Sequence, residues 1–128
     1  MKKQPEFELH KSVCRYLDVV HPKTLYLSDT IASVKLTIPQ VVRNKQIQKQ
    51  GFKTPDLIIL EPNKYYHGLF IELKIKSPFK KDGSLLKDEH LEGQQKTIQD
   101  LNDKGYFACF AWSFEMVTAI IEKYIRDK

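Results

Sequence analysis

The sequence predicts an α/β fold in which helices flank a small mixed sheet. Three observations carry that prediction. Segments near both ends repeat apolar residues at three- and four-residue steps, the period of an amphipathic helix. Between them lie short continuous apolar runs, L-I-I-L at 57–60 and Y-F-A-C-F-A-W at 106–112, with the length and character of buried strands. Helix-like and strand-like segments are also interleaved, which places helices on the faces of a sheet. At 128 residues, 41% apolar and 29% charged, the chain reads as one domain spanning residues 1–128, with neither an internal repeat nor a second core.

In chain order, Leu9, Val13, Tyr16, Leu17 and Val20 form one stripe of a helix from Glu6 to about Val20. Glu6 falls within the angular spread of that stripe, so it can lean toward the core or toward a site at its edge. It is equally an acid favoured by the helix dipole in the first turn. His21-Pro22 ends the helix, because proline disfavours helical geometry in the residue before it. Leu25-Tyr26-Leu27 is a candidate strand. Thr37, with Gln40 three residues on, reads as a capping box opening a second helix, which should run to about Gln50 and stop at Gly51. Its residues, V-V-R-N-K-Q-I-Q-K-Q, are dominated by long polar donors suited to phosphate oxygens and base edges.

A strand over Asp56–Leu60, a turn at Glu61-Pro62-Asn63-Lys64 and a strand over His67–Ile75 follow. His67 reads as a residue at the strand edge rather than a catalytic one. The stretch from Lys76 to Glu89 has neither period and reads as a long flexible excursion turning at Asp82-Gly83. A helix from His90 to Lys104 presents Leu91, Ile98 and Leu101 on one face, with Gln94 near its middle and Gly105 as its stop. A glutamine buried there must find hydrogen bonds. After the strand at Tyr106–Trp112, Ser113 caps a last helix with Val117, Ile120, Ile121 and Tyr124 on one stripe.

No apolar run approaches the roughly 18 residues of a membrane span, and M-K-K-Q-P-E-F-E lacks the apolar core of a signal peptide. Cys14 and Cys109 have no metal-ligand spacing and each falls inside a core element, so buried reduced thiols and a cytoplasmic location are expected. The formal charge is +5, unevenly spread. No acid occurs between Asp29 and Asp56, whereas Lys35, Arg43, Lys45, Lys49 and Lys53 are basic. Such a block suits a polyanion, and by itself equally a solvated helix face.

The chemistry concentrates in Pro55–Lys74. Side chains alternate along a strand, so Glu72 and Lys74 share one face while Ile71 and Leu73 take the other. If the two strands are neighbours, Asp56 can face Glu72. Two carboxylates about 4 Å apart repel by roughly 4 kcal/mol at an effective dielectric of 20, so one takes a proton or a cation sits between them. Oxygen ligands without a His or Cys cluster select a hard ion, Mg²⁺ or Mn²⁺, to which the Leu73 carbonyl can add another oxygen. Lys74 could then orient or deprotonate an attacking water, or stabilise charge on a phosphoryl oxygen.

P-D at 55–56, fifteen intervening residues and E-L-K at 72–74 resemble the PD-(D/E)XK nuclease signature. The wider context, G-F-K-T-P-D-L-I-I-L, Y-H-G-L-F-I-E-L-K, H-L-E-G-Q and G-Y-F-A-C-F-A-W-S-F-E, resembles its VRR-NUC branch in the small stand-alone form of phages and prophages. The resemblance implies a restriction-endonuclease-like core. It also implies a Mg²⁺- or Mn²⁺-dependent endonuclease that hydrolyses DNA, with branched or junction DNA as a candidate substrate, in a bacterial cytoplasm. Asp56 and Glu72 would be metal ligands, Lys74 the catalytic lysine, Gln94 the supporting glutamine and Glu6 the acid that reaches the metal site from the first helix. His10 stands where the family has a glutamine four residues after that acid. The segment I-P-Q-V-V-R-N-K resembles the family's basic helix, a candidate DNA contact, and K-K-D-G-S-L-L-K-D-E-H resembles an insertion of phage members. Paired cuts at a junction would require a homodimer. The alternative is a DNA-binding module that keeps the nuclease fold without cleaving, inside a phage replication or recombination complex.

Overall fold

The computed structural model describes residues 5–28 and 36–127. Its elements are α1 (Pro5–Val20), β1 (Tyr26–Ser28), α2 (Ile38–Ile47), β2 (Leu57–Ile59), β3 (Leu69–Leu73), α3 (Glu89–Asp103), β4 (Phe107–Ala111) and α4 (Phe114–Arg126). The four strands lie in the order β1-β2-β3-β4. β1 and β3 each pair antiparallel with β2, and β4 runs parallel to β3 after the α3 crossover. The sheet is therefore mixed and flanked by helices, as expected.

Alternation along β3 divides the core. Leu69, Ile71 and Leu73 pack with Leu57 and Ile59 against Val13 and Leu17 of α1 and Val117, Ile121 and Tyr124 of α4. The opposite face carries Phe70 and Phe110 with Ile98 and Leu101 of α3. Burying each large aliphatic side chain contributes about 1.5–3 kcal/mol. Truncating the fully buried Leu69 to Ala is expected to cost about 2–5 kcal/mol. That loss would be read as a lower urea midpoint at an unchanged m-value, and an unmoved midpoint would contradict the packing described.

Local sequence accounts for most boundaries. Thr37 and Gln40 form the capping box, with the Gln40 N–H donating to Thr37 Oγ1 at 3.4 Å and the Thr37 N–H to Gln40 Oε1 at 2.8 Å. Asn63 Oδ1 holds the turn after β2 by accepting the N–H groups of Tyr65 and Tyr66. Ser113 caps α4 by accepting the Met116 N–H at 3.1 Å. Gly105 ends α3 at φ +93°, and a Cβ there would come within 2.8 Å of the His67 ring, so His67 is a packing neighbour of that turn.

Several boundaries differ from the sequence reading. α2 stops at Ile47 rather than Gln50. None of its residues is buried, so no tertiary packing holds a further turn. Val20, at the last position of α1, is 49% exposed and leaves the apolar stripe. β3 occupies only Leu69–Leu73 of the expected His67–Ile75, because its ladder with β4 ends at the pair Leu73 and Ala111. α3 begins one residue early, at Glu89, with Asp88 accepting the Leu91 N–H as its cap. The stretch between β3 and α3 is not structureless. Phe79 and Leu85 form an antiparallel bridge around the Asp82-Gly83 turn, and Phe79 packs edge-on against Phe110 and Trp112. Cys14 and Cys109 are unpaired as expected, yet only partly buried. Among the described residues no helix is long and apolar enough to cross a membrane.

Candidate active site

The antiparallel register of β2 and β3 builds the centre of the site. Leu57 lies opposite Ile71, so Asp56, one step earlier, stands across from Glu72. Both acids are buried, at 8% and 5% exposure. Asp56 Oδ2 accepts the Leu73 N–H at 2.8 Å, which fixes its carboxylate against the strand that carries Glu72. Burial, then the charge of Asp56 and a hydrogen bond with it, push the Glu72 carboxyl up to about 9; Lys74 opposes this and Glu6 adds to it. Without a cation the pair shares a proton, the outcome expected of two buried carboxylates in contact.

Gln94 reaches Glu72 from α3. Its side chain is 6% exposed, and its Nε2 donates to Glu72 Oε1 at 3.0 Å. The same Nε2 lies 3.2 Å from His90 Nε2. Gln94 Oε1 is buried without a hydrogen-bond partner among the described residues. Lys74 is half-buried, and its N–H donates to the Ala111 carbonyl at 2.8 Å, holding the lysine just past the end of the parallel ladder.

These groups share a cleft of about 1010 Å³. Asp56, Glu72, Lys74, Gln94 and Glu6 all line it. Glu6 is exposed in the first turn of α1 and borders the cleft, where its charge adds to the upward push on Glu72; among the described residues no three His, Cys, Asp or Glu side chains come together as a metal-holding group. Of the predicted basic residues, Lys45, Lys49 and Lys53 line the cleft. Arg43 is exposed on α2 and does not, and Lys35 lies outside the described residues. The Lys53 N–H donates to Thr97 Oγ1 at 3.0 Å, and its side chain crosses α3 where Gly93 leaves room, a Cβ there falling 2.4 Å from Lys53 Cε.

The residue types fit a hard cation. Two carboxylates close enough to share a proton present oxygen donors, the Leu73 carbonyl next in the chain after Glu72 could add another, and Mg²⁺ ordinarily keeps several waters to complete its shell. Sequence reasoning missed His90 as a member of the site. The H-x-x-x-Q spacing was its one signal, since residues four apart share a helix face. It also missed Thr54, whereas Asn44 and Gln48, which line the cleft too, belong to the polar segment read as suited to phosphates and base edges.

Comparison with solved structures finds a protein described as a VRR_NUC domain protein, at a TM-score of 0.61 and 22% identity. The match covers 99% of this chain and 93% of that one. No protein-family model matches the chain, and no curated protein does. At this identity the likeness is one of fold. Over nearly its whole length, the chain has the fold of a VRR_NUC domain protein, the family that its own motifs resemble.

Proposed function

We propose that the protein is a Mg²⁺- or Mn²⁺-dependent endonuclease that hydrolyses DNA phosphodiester bonds. The observation that carries this reading is the buried Asp56–Glu72 pair in a cleft also lined by Lys74, Lys45, Lys49 and Lys53. Asp56, Glu72 and the Leu73 carbonyl would hold the ion, with Glu6 approaching from α1. When bound, the ion supplies Lewis-acid polarisation of the phosphodiester and a more acidic water.

The chain's own residues would do the rest. Lys45, Lys49 and Lys53 hold backbone phosphates along the cleft, giving salt-sensitive binding. Lys74 lies on the same strand face as Glu72, where its ammonium can neutralise charge gathering on a phosphoryl oxygen or orient the attacking water. Gln94 holds the Glu72 carboxylate by its amide N–H.

The test is cleavage of linear duplex, flap and four-way junction DNA with Mg²⁺ or Mn²⁺, against the same reactions in EDTA. Metal-dependent cutting of at least one substrate is expected. Metal-independent binding without cutting on any of them would instead favour a DNA-binding module on the nuclease fold. Branched DNA as the preferred substrate predicts faster cutting of the flap or junction, and a homodimer predicts twice the single-chain mass in solution.

His90 belongs to the same arrangement. The Gln94 amide nitrogen offers two protons, and Glu72 takes one. His90 Nε2, 3.2 Å from that nitrogen, can take the other through its lone pair. His90→Lys, which can only donate, is expected to lower kcat about 10- to 100-fold with little change in KM. His90→Asn, which can still accept, should recover part of that loss. Equal activity in both variants and the wild type would remove His90 from the site.

A further inference from the structure

The cleft does not end at Lys74. Glu6, Lys74 and His90 line it and also line a second recess of about 260 Å³ on their other side. The two spaces differ in chemistry. The main cleft is walled by lysines, amides and carboxylates, whereas Ile75, Pro78, Leu86 and Leu91 supply apolar walls to the recess. Several of these walls come from the segment between β3 and α3, where the Phe79–Leu85 bridge holds Pro78 and Leu86 together through the Leu86 N–H to Pro78 carbonyl bond of 2.8 Å.

Size and polarity narrow the occupant. An apolar cavity of roughly 150 Å³ admits a benzene ring, so 260 Å³ has room for a one- or two-ring heterocycle. Asp88 stands at the recess with Oδ1 capping α3, and its second oxygen remains an acceptor among the described residues. Glu6 brings a second carboxylate to the same recess, and such acceptors suit the amino and ring N–H donors that the edges of bases carry, while Lys74 and Lys76 bring positive charge to its lining. Apolar walls, carboxylate acceptors and lysines together match a base whose phosphate lies beside Lys74.

We propose that this recess receives one unpaired nucleobase of the strand being cut, adjacent to the scissile phosphate. The proposal rests on the nuclease reading above and names its substrate class. A base inside a stacked duplex must leave its stack to enter a walled recess, and that unstacking costs free energy. A base at a flap, a frayed end or a branch point has already left its partner. The recess therefore selects DNA that is unpaired at the cut.

The experiment needs no catalysis. A Y-shaped DNA carrying its normal bases in the unpaired arms, and the same DNA with abasic sites at the two arm positions nearest the branch, are bound to the full chain in EDTA and followed by fluorescence anisotropy. The wild type is expected to bind the base-bearing form about tenfold more tightly. Leu86→Trp, which fills the recess, should bring that ratio toward one. Equal binding of both forms by the wild type would overturn the proposal without any variant, and an undiminished ratio in a folded Leu86→Trp would overturn the placement. The outcomes separate the two readings. Discrimination in EDTA with no cleavage under any metal defeats the nuclease reading and leaves the recess standing. Metal-dependent cleavage with no discrimination does the reverse.

Discussion

Asp56→Asn is expected to abolish cleavage, by about a thousandfold or more, while raising the stability of the metal-free protein by on the order of 1 kcal/mol. The amide keeps an oxygen that can accept the Leu73 N–H, so the strand contact survives while the charge beside Glu72 disappears. Asp56→Ala should be equally inactive yet less stable, because the buried Leu73 N–H is left without its acceptor, a cost of about 1–3 kcal/mol. Two inactive variants thus move the melting temperature in opposite directions, which simple damage to the fold does not do. The pH dependence follows from Glu72. Its folded pKa of about 9 lies above the ordinary value of 4.5, so between these the unfolded chain binds fewer protons. Glu72's contribution to metal-free stability is therefore complete below that ordinary value and is lost as pH rises through the folded one. In Asp56→Asn the decline should be shallower. Thermal melts of the three proteins in EDTA across that range check it, and identical slopes would mean that Asp56 does not set the proton affinity of Glu72.

Lys74→Met should lower kcat about 10²- to 10⁴-fold while changing DNA affinity in EDTA less than tenfold. The asymmetry arises because phosphate binding is spread over Lys45, Lys49 and Lys53, whereas only Lys74 shares a strand face with Glu72. Lys74→Arg separates the two roles available to the lysine. Recovery of activity by arginine would show that a fixed positive charge is enough. Failure to recover would point to proton transfer, which a guanidinium cannot perform near neutral pH. A large loss of affinity in Lys74→Met would instead make this lysine chiefly a binding residue.

The sequence exposed the features set by short-range rules. Apolar alternation placed Glu72 and Lys74 on one face and Ile71 and Leu73 on the other, and the helix caps at Thr37 and Ser113 follow from side chains that satisfy orphan N–H groups nearby. What escaped depends on distant partners. The Phe79–Leu85 bridge has no local period, because it is held by aromatic packing on Phe110 and Trp112, some thirty residues further along the chain. The end of α2 was misjudged because its polar residues mark where a helix can form and not where packing stops supporting it. His90 carries a legible spacing to Gln94, yet its meaning depends on Glu72 from another element. The basic block was visible as composition, but nothing in its order separates Lys45, which lines the cleft, from Arg43, which does not.

The Leu73 amide stands in an unusual position. Its proton is held by a site carboxylate rather than by a carbonyl of the neighbouring strand. Exchange of that proton with solvent deuterium requires Asp56 to swing away from β3, so its rate measures how often the candidate metal-binding carboxylate lets go. Neighbouring amides in β3 report the opening of the sheet and serve as the internal reference. The fold thus carries a reporter of active-site order, readable in the resting protein with neither substrate nor turnover.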